Sequence, residues 1–94
     1  MPDLVLALIA RVPPEGIAAF QAYEDAVLPL LEEHGGTLER RLRNAEGTVE
    51  LHVVRFASRA SLDQFRADPR RQAAAPLLQQ SEAAIEVMEL HDVE

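Results

Sequence analysis

The chain contains no cysteine, no lysine and no tryptophan, and aromatic residues make up only 4% of it. Without cysteine it can form no disulfide, no thiolate nucleophile and no thiolate metal site. Its positive charge rests on nine arginines against 16 acidic residues, which gives a formal net charge of −7. Such a chain repels phosphate backbones and anionic membrane surfaces, so we expect no nucleic-acid partner and no membrane partner.

The chain also lacks an apolar run long enough to cross a membrane, which takes about 20 residues. The unbroken apolar run at residues 4–10 follows Asp3 instead of a basic segment, and no small-residue cleavage site closes it. We interpret this run as a buried strand and expect a cytoplasmic protein. A length of 94 residues is that of one domain, which we take to span residues 1–94.

The apolar pattern predicts the order strand, helix, strand, strand, helix, strand. The predicted strands cover residues 4–12, 37–43, 48–56 and 84–90. This order is typical of the ferredoxin-like fold, an α+β arrangement with a four-stranded antiparallel sheet and both helices on one face. In that fold the first and third strands are central, and these two are the most apolar on both faces.

Prolines, glycines and caps mark the ends of the two helices. Pro29 predicts a kink near residues 25–26 in the first helix, and Gly35-Gly36 predicts its end, with one glycine left-handed. The segment 61–64 matches a capping box with Ser61 as the N-cap of the second helix. Asp68-Pro69 interrupts that helix, because the residue before a proline avoids helical angles.

The third strand is apolar on both sides. Side chains alternate across a strand, so Val49, Leu51 and Val53 lie on one face, and Val54 and Phe56 lie on the other. The two helices can cover one face only. We therefore predict a homodimer in which a second copy covers the other face, with an interface of roughly 1,600 Å² or more in total.

The second strand, at residues 37–43, carries charge and is predicted at a sheet edge. Simple alternation places Leu38 and Leu42 on one face, and Glu39, Arg41 and Arg43 on the other. Arg41 and Arg43 could bind a carboxylate or phosphate of a ligand. Alternatively, they pair with the surplus acidic residues at the surface or across the dimer.

From about residue 20 to residue 90 the chain resembles a family of small bacterial domains of unknown function. The matching residues are 23–24, 27–31, 33–36, 41, 52–56, 58 and 65–71. That family belongs to the dimeric α/β-barrel superfamily, which also holds antibiotic-biosynthesis monooxygenases, muconolactone isomerase, stress-responsive barrels and chlorite dismutase-like haem proteins. The resemblance implies two four-stranded sheets that meet face to face to form a dimeric α/β barrel, with the helices outside. It implies no catalytic residues.

His52 and Tyr23 are the weak candidates for catalysis and the first candidates for ligand binding. Members of the superfamily often hold a small molecule between sheet and helices, where a neutral histidine can move a proton and a tyrosine can orient a ligand. Phe20, Val27 and Arg41 complete the candidate ligand-binding set. The alternatives are a partly buried structural histidine and a core tyrosine with a satisfied hydroxyl. His34, near the helix end, is interpreted as a cap.

We expect no metal and no cofactor. His34, His52 and His91 have no paired spacing, and no His–carboxylate cluster is evident in the sequence. The extra length of the haem-binding relatives is absent, and so is a glycine-rich phosphate loop.

Glu50 and Glu86 lie in apolar strands, where a carboxylate can have a raised pKa and act as a base. Edge exposure or a salt bridge is the alternative explanation.

Two functions remain open. The first is a barrel that binds a small apolar or aromatic molecule, and that could be a cofactor-independent monooxygenase- or isomerase-like enzyme. The second is a non-catalytic dimeric structural or interaction module. A cavity of roughly 300 Å³ or more beside His52 favours the first function, and a filled core favours the second.

Overall fold

A computed structural model describes residues 3–93 of the protein. The elements in chain order are β1 (Leu4–Arg11), a one-turn 3-10 helix (Pro14–Gly16), α1 (Ile17–Val27), α2 (Leu30–Glu33), β2 (Gly36–Arg43), β3 (Val49–Phe56), α3 (Arg59–Ala67), α4 (Pro69–Ser81) and β4 (Ala84–Leu90). No helix in this range is long and apolar enough to span a bilayer.

The four strands form one antiparallel sheet in the order β2-β3-β1-β4. The most apolar strands, β1 and β3, are therefore central, as the sequence predicts, and the predicted ferredoxin-like α+β fold is confirmed. Central strands are hydrogen-bonded on both sides, which leaves their two faces as the surfaces that must be covered.

The helices cover one face of the sheet. Leu6, Val54 and Phe56 from the central strands are buried together with residues of the helices. The helical residues of this cluster are Val27, Leu30, Leu31, Leu62, Phe65 and Ala74. At the other end of the sheet, Phe20 is buried against Ala10 and the adjoining Val12. The core thus lies between the sheet and a single layer of helices.

Proline divides each helical segment of the fold in two. The first segment breaks at Leu28 and Pro29, one turn beyond the predicted kink at residues 25–26, because the proline nitrogen has no hydrogen to donate. Gly35 follows α2 with φ 71°, which confirms the predicted left-handed glycine. Asp68 takes extended angles between α3 and α4, as predicted.

The predicted capping box at residues 61–64 is wrong. The helix begins three residues earlier, and Ser58 is its N-cap, because the Ser58 hydroxyl accepts a hydrogen bond from the amide of Ser61 at 3.1 Å. Ser61 is therefore the residue capped and not the cap. Ser58 satisfies a free amide of the first turn, so the capping chemistry is the same at a shifted position.

A β-bulge in β2 overturns the predicted faces of that strand. Leu38 lies opposite Val54, but the next paired residue is Arg40, opposite Val53, so Glu39 is an extra residue in the ladder. The extra residue reverses the alternation beyond it. Leu38 therefore faces the helices, and Leu42 lies on the opposite face of the sheet. Arg41 and Arg43 share the helix-covered face with Leu38.

The second face of the sheet is open and apolar. Leu42 and Leu90 on this face are 45% and 46% exposed, and Val49 is also exposed. Leu51 and Val53 lie beside them in the centre of the sheet and are half-buried. One face is thus covered by helices, and the other presents an apolar surface, which is large for so short a chain.

Candidate functional site

Three ionisable side chains are buried between the sheet and α1. Glu50 and His52 are alternate residues of β3, so both point to the helix-covered face, and Glu24 reaches them from α1. They are 1%, 5% and 2% exposed, respectively. Nε2 of His52 lies 2.5 Å from Oε2 of Glu50 and 3.0 Å from Oε2 of Glu24. One imidazole nitrogen therefore faces two carboxylates.

Two arginines of β2 bind these carboxylates from the edge of the sheet. Arg43 is paired directly with Glu50 across the strands, and its Nε donates to Oε1 of Glu50 at 2.6 Å. Nε of Arg41 donates to Oε2 of Glu50 at 3.1 Å. The bulge at Glu39 turns both arginines to this face. Arg41 and Arg43 therefore pair with the protein's own acidic residues, which was the alternative to ligand binding. The pairing lies beneath the helices and not at the surface or across a dimer.

Glu24 has charged neighbours but no well-directed hydrogen bond. Its Oε1 lies 3.2 Å from Arg41 Nη2 and 3.5 Å from Arg43 Nη2. These distances bring opposite charges close, yet neither buried Glu24 oxygen has a donor aligned for a hydrogen bond among residues 3–93. Glu24 is thus an acceptor with capacity for a further donor.

The pKa values of the two carboxylates are shifted in opposite directions. Burial raises the pKa of Glu24, and the neighbouring Glu50 carboxylate raises it further, against the opposing effect of His52. Burial also opposes ionisation of Glu50, but the neighbouring Glu24 and the hydrogen bonds from His52 and the two arginines outweigh it and lower the pKa of Glu50 to about 2. The salt bridge to arginine, the simpler interpretation of Glu50, is therefore confirmed, and the alternative of a raised pKa is wrong for this residue. Glu24 is the carboxylate with the raised pKa.

His52 is the proton donor of the cluster. Burial alone would lower its pKa, but the carboxylates of Glu24 and Glu50 outweigh burial and raise the pKa. The imidazolium hydrogen on Nε2 is directed to Oε2 of Glu50, the nearer of the two carboxylates. The raised pKa favours the charged form of His52, whereas the sequence analysis considered a neutral histidine.

A cavity of about 110 Å³ lies next to this cluster. His52 and Glu24 form its polar wall, and Tyr23, Phe20 and Val27 are among its lining residues. The structure thus brings four of the five candidate ligand-binding residues to one cavity. Arg41 does not line it, because Arg41 lies behind the two carboxylates. The walls are otherwise largely aliphatic and aromatic.

The cavity reaches the uncovered edge of the sheet. Ile85 and Val87 of β4 line it and are partly exposed, because the helices do not extend over that strand. Arg66 of α3 and Arg71 of α4 also contribute to the lining. The cavity therefore has an apolar wall that continues to the surface and two arginines besides the buried cluster.

The remaining candidate residues have structural positions. His34 is the C-cap residue of α2, as predicted, and its Nε2 also lies 2.8 Å from Oδ2 of Asp68, which links α2 to the start of α4. The backbone amide of Arg70 donates to Asp68 at 2.8 Å. Glu86 is exposed on β4, in agreement with the simpler of its two interpretations.

The fold forms a His–carboxylate cluster that the spacing of residues in the sequence did not reveal. The ligand atoms of Glu24, Glu50 and His52 lie within 4.8 Å of one another, close enough to share a cation. Arg41 and Arg43 already balance the two carboxylates. A divalent cation would leave an excess of positive charge in a buried site, so the cluster suits a proton better than a metal ion.

Glu24 is the functional residue that the sequence analysis did not identify. It lies four residues after Phe20 and three before Val27, which is the spacing of the buried face of a helix. A carboxylate at a core position is uncommon unless it is paired. The core position of Glu24 in the helical pattern was therefore the signal available in the sequence, and it indicated a buried partner for this carboxylate.

The sheet order and the single helix layer define a small ferredoxin-like α+β protein with a buried Glu–His–Glu cluster beside a cavity. The same fold is found in Rv0793 from Mycobacterium tuberculosis, with a TM-score of 0.78, 21% identity and coverage of 98% of this chain and 96% of that chain. A candidate antibiotic biosynthesis monooxygenase from Caulobacter crescentus has a TM-score of 0.82 at 18% identity, with coverage of 99% and 92%.

SnoaB from Streptomyces nogalater, described as a cofactor-independent oxygenase, has a TM-score of 0.80 at 12% identity and covers 100% of this chain and 96% of that chain. At these identities the likeness is one of fold. No family model and no curated protein matches the chain. The fold is thus that of the antibiotic biosynthesis monooxygenase-like proteins, as the resemblance in the sequence implied.

Proposed function

We propose that this protein binds a small aromatic molecule, about one ring in size, between its sheet and its helices. The observation that carries the proposal is the buried Glu24–His52 pair at the wall of an otherwise apolar cavity. Ligand sites typically combine apolar walls with a few polar groups that fix orientation. A carboxylate with a raised pKa inside a cavity also marks a functional site more often than a structural one.

The size of the cavity limits the ligand. Its volume of about 110 Å³ is below the 300 Å³ that typical pockets reach. An apolar cavity of about 150 Å³ is sufficient to bind benzene. The cavity is smaller than that, but it is open toward Ile85 and Val87, so a single ring would fill it and extend toward these two residues.

A cofactor-independent enzyme is the second candidate. Glu24 is positioned to accept a proton from a bound hydroxyl or acidic C–H, and His52 is positioned to return one. SnoaB, of the same fold, is described as a cofactor-independent oxygenase. The small volume of the cavity favours the other alternative, a non-catalytic structural or interaction module. Turnover of a bound ligand by the wild type, abolished in Glu24→Gln, would favour the enzyme.

The binding proposal is tested by titrating 4-methylphenol into the wild type and into His52→Ala by calorimetry. We expect the wild type to bind and the variant to bind about three- to tenfold more weakly, because one hydrogen bond is worth roughly 0.5–1.5 kcal/mol. His91→Ala is the matched control, because His91 is exposed and does not line the cavity. It should bind like the wild type.

Two results would contradict the binding proposal. One is a wild type that binds neither 4-methylphenol nor other single-ring phenols at millimolar concentration. The other is a His52→Ala variant that unfolds more easily yet binds as tightly as the wild type, which would identify His52 as a structural residue. Circular dichroism on each variant separates a loss of folding from a loss of affinity.

We also propose that the protein is a homodimer joined through the open face of the sheet. Exposed Leu42, Val49 and Leu90 on this face support the proposal, since a monomer would leave them in water. A second copy presents the same apolar surface, so a two-fold interface would be self-complementary.

A further inference from the structure

Three buried side-chain atoms in the described range 3–93 lack a hydrogen-bond partner: both carboxylate oxygens of Glu24 and Nε of Arg71. Glu24 and Arg71 line the same cavity. Buried polar atoms are nearly always hydrogen-bonded in folded proteins, so each exception needs a reason. Here the exceptions are two acceptors and one donor that border the site proposed for a ligand.

The two unsatisfied groups lie toward different ends of the cavity. The guanidinium carbon of Arg71 lies 5.3 Å from the centroid of the Phe65 ring, which itself packs against Phe56 at 5.7 Å. Phe56 is four residues beyond His52 on β3, roughly 13 Å at 3.3 Å per residue. Glu24 is beside His52. The acceptors therefore lie toward one end of the cavity and the cationic donor toward the other.

Arg71 is held in place but not neutralised. Stacking on Phe65 fixes its guanidinium. Within the described part of the chain neither Arg71 nor Arg66 forms an ion pair. The arginines that do form ion pairs are Arg41, Arg43, Arg55, Arg59 and Arg70. Arg66 lies near enough to Glu89 to help lower the pKa of that carboxylate. Arg59, however, binds the Glu89 carboxylate directly, at 2.6 and 2.7 Å.

Four of the nine arginines, Arg11, Arg40, Arg66 and Arg71, form no ion pair within residues 3–93, and Arg66 and Arg71 are the two of them that line the cavity. Their position on a cavity gives them an alternative partner, because a guanidinium binds a carboxylate in a bidentate geometry. The opposite orientation of such a ligand would leave the cationic Arg71 without an anionic partner.

We infer that the ligand is a hydroxyaryl carboxylate, with its hydroxyl donating to Glu24 and its carboxylate bound by Arg71 and Arg66. This inference rests on the proposed function and names its ligand class. The ring occupies the apolar cavity, the hydroxyl supplies the donor that Glu24 lacks, and the carboxylate supplies the acceptor that Arg71 lacks. Ligand and protein are thus complementary at both ends.

The first test compares 4-hydroxyphenylacetate with its methyl ester by calorimetry on the wild-type protein. The two molecules share the ring and the hydroxyl and differ in the negative charge. We expect the acid to bind at least about tenfold more tightly than the ester, with an affinity that falls as salt is added. Equal affinities would overturn the ligand class but leave the binding of a single ring intact. Absence of binding by both molecules, and by 4-methylphenol, would overturn the class and the proposed function together.

The second test repeats both titrations with Arg71→Gln and with Arg66→Gln. We expect Arg71→Gln to weaken binding of the acid about tenfold and to leave binding of the ester unchanged, which would reduce the preference for the acid. Arg11→Gln is the matched control, because Arg11 is exposed, does not line the cavity and forms no ion pair within residues 3–93. It removes the same charge and should preserve the preference.

An Arg71→Gln variant that loses both ligands equally would show a packing role on Phe65 and would overturn the inference for that residue. Arg66→Gln, on an exposed side chain that does not stack on Phe65, then decides whether the anion is bound at this end of the cavity. If the preference for the acid is undiminished in both variants, the carboxylate is bound elsewhere and the inference is wrong.

Discussion

A single nitrogen, Nε2 of His52, faces two carboxylates, and this arrangement links folding to proton binding. Burial would lower the pKa of His52, but Glu24 and Glu50 outweigh burial and raise the pKa above its ordinary value of 6.5. The pKa of Glu24 is raised above 4.5, chiefly by burial. The folded protein therefore holds both protons more tightly than the unfolded chain does.

We predict that the free energy of unfolding decreases as the pH rises from about 5 to about 8. A raised pKa stabilises the fold fully below the unfolded-state value, and that contribution is lost as the pH rises through the folded-state value. Glu50 acts in the opposite direction. Its pKa is lowered to about 2, so its contribution is lost only as the pH falls below about 4.5.

Urea unfolding of the wild type and of His52→Gln at several pH values checks this prediction. The wild-type midpoint should fall with pH, and the fall should be smaller in His52→Gln, which cannot take up the imidazole proton. His91→Gln serves as the control, because His91 is exposed. A wild-type midpoint that rises between pH 5 and 8, or an identical fall in His52→Gln, would show that the cluster does not hold this proton.

Strand alternation was sufficient to place His52 between sheet and helices, and the helical spacing was sufficient to place Tyr23 there. Neither rule could reveal the carboxylate beside them. Glu24 occupies a core position of α1 because Arg41 and Arg43 of β2 and His52 of β3 surround its carboxylate. Such pairings depend on tertiary structure. The charge state of His52 depends on the same neighbours.

At the scale of elements, one inserted residue decided which side chains of β2 enter the site. A bulge at Glu39 leaves no distinct mark in the sequence, because charged residues are common at sheet edges. Simple alternation therefore correctly grouped Arg41 with Arg43 but put Leu38 on the opposite face from both. The bulge turns all three to the helices, which buries Leu38 and aims the arginines at Glu50.

The ends of the helices were predicted less well than their existence. Ser58 and Ser61 both precede an apolar helical pattern, and either could be the N-cap on local chemistry alone. Ser58 is the cap because β3 ends at Phe56, which leaves a single extended residue before the turn. The length of the preceding strand, and not the capping motif, fixed the helix start.

At the scale of the whole molecule, the open face of the sheet is the feature on which the proposed homodimer rests. We predict that Val53→Asp converts a homodimer into a monomer, because Val53 lies on this face in a central strand. A carboxylate buried at the interface without a partner would cost about 3 kcal/mol or more. Sedimentation equilibrium at micromolar concentration should give the dimer mass for the wild type and the monomer mass for the variant.

Val93→Asp is the matched control, since Val93 lies beyond β4 and its side chain is almost fully exposed. It introduces the same charge by the same substitution and should leave the dimer intact. A wild type that sediments as a monomer would contradict the prediction outright. A Val53→Asp protein that remains fully dimeric would place the interface on another surface.

The central claim is that a single aromatic ring binds in the cavity beside Glu24 and His52, and a crystal structure grown with 4-methylphenol tests it most directly. The account predicts density for one ring between Tyr23 and His52, with its hydroxyl about 2.7 Å from a carboxylate oxygen of Glu24. A well-ordered structure in which Phe20, Val27 and Tyr23 fill this space, with no ring bound at saturating 4-methylphenol, would contradict it.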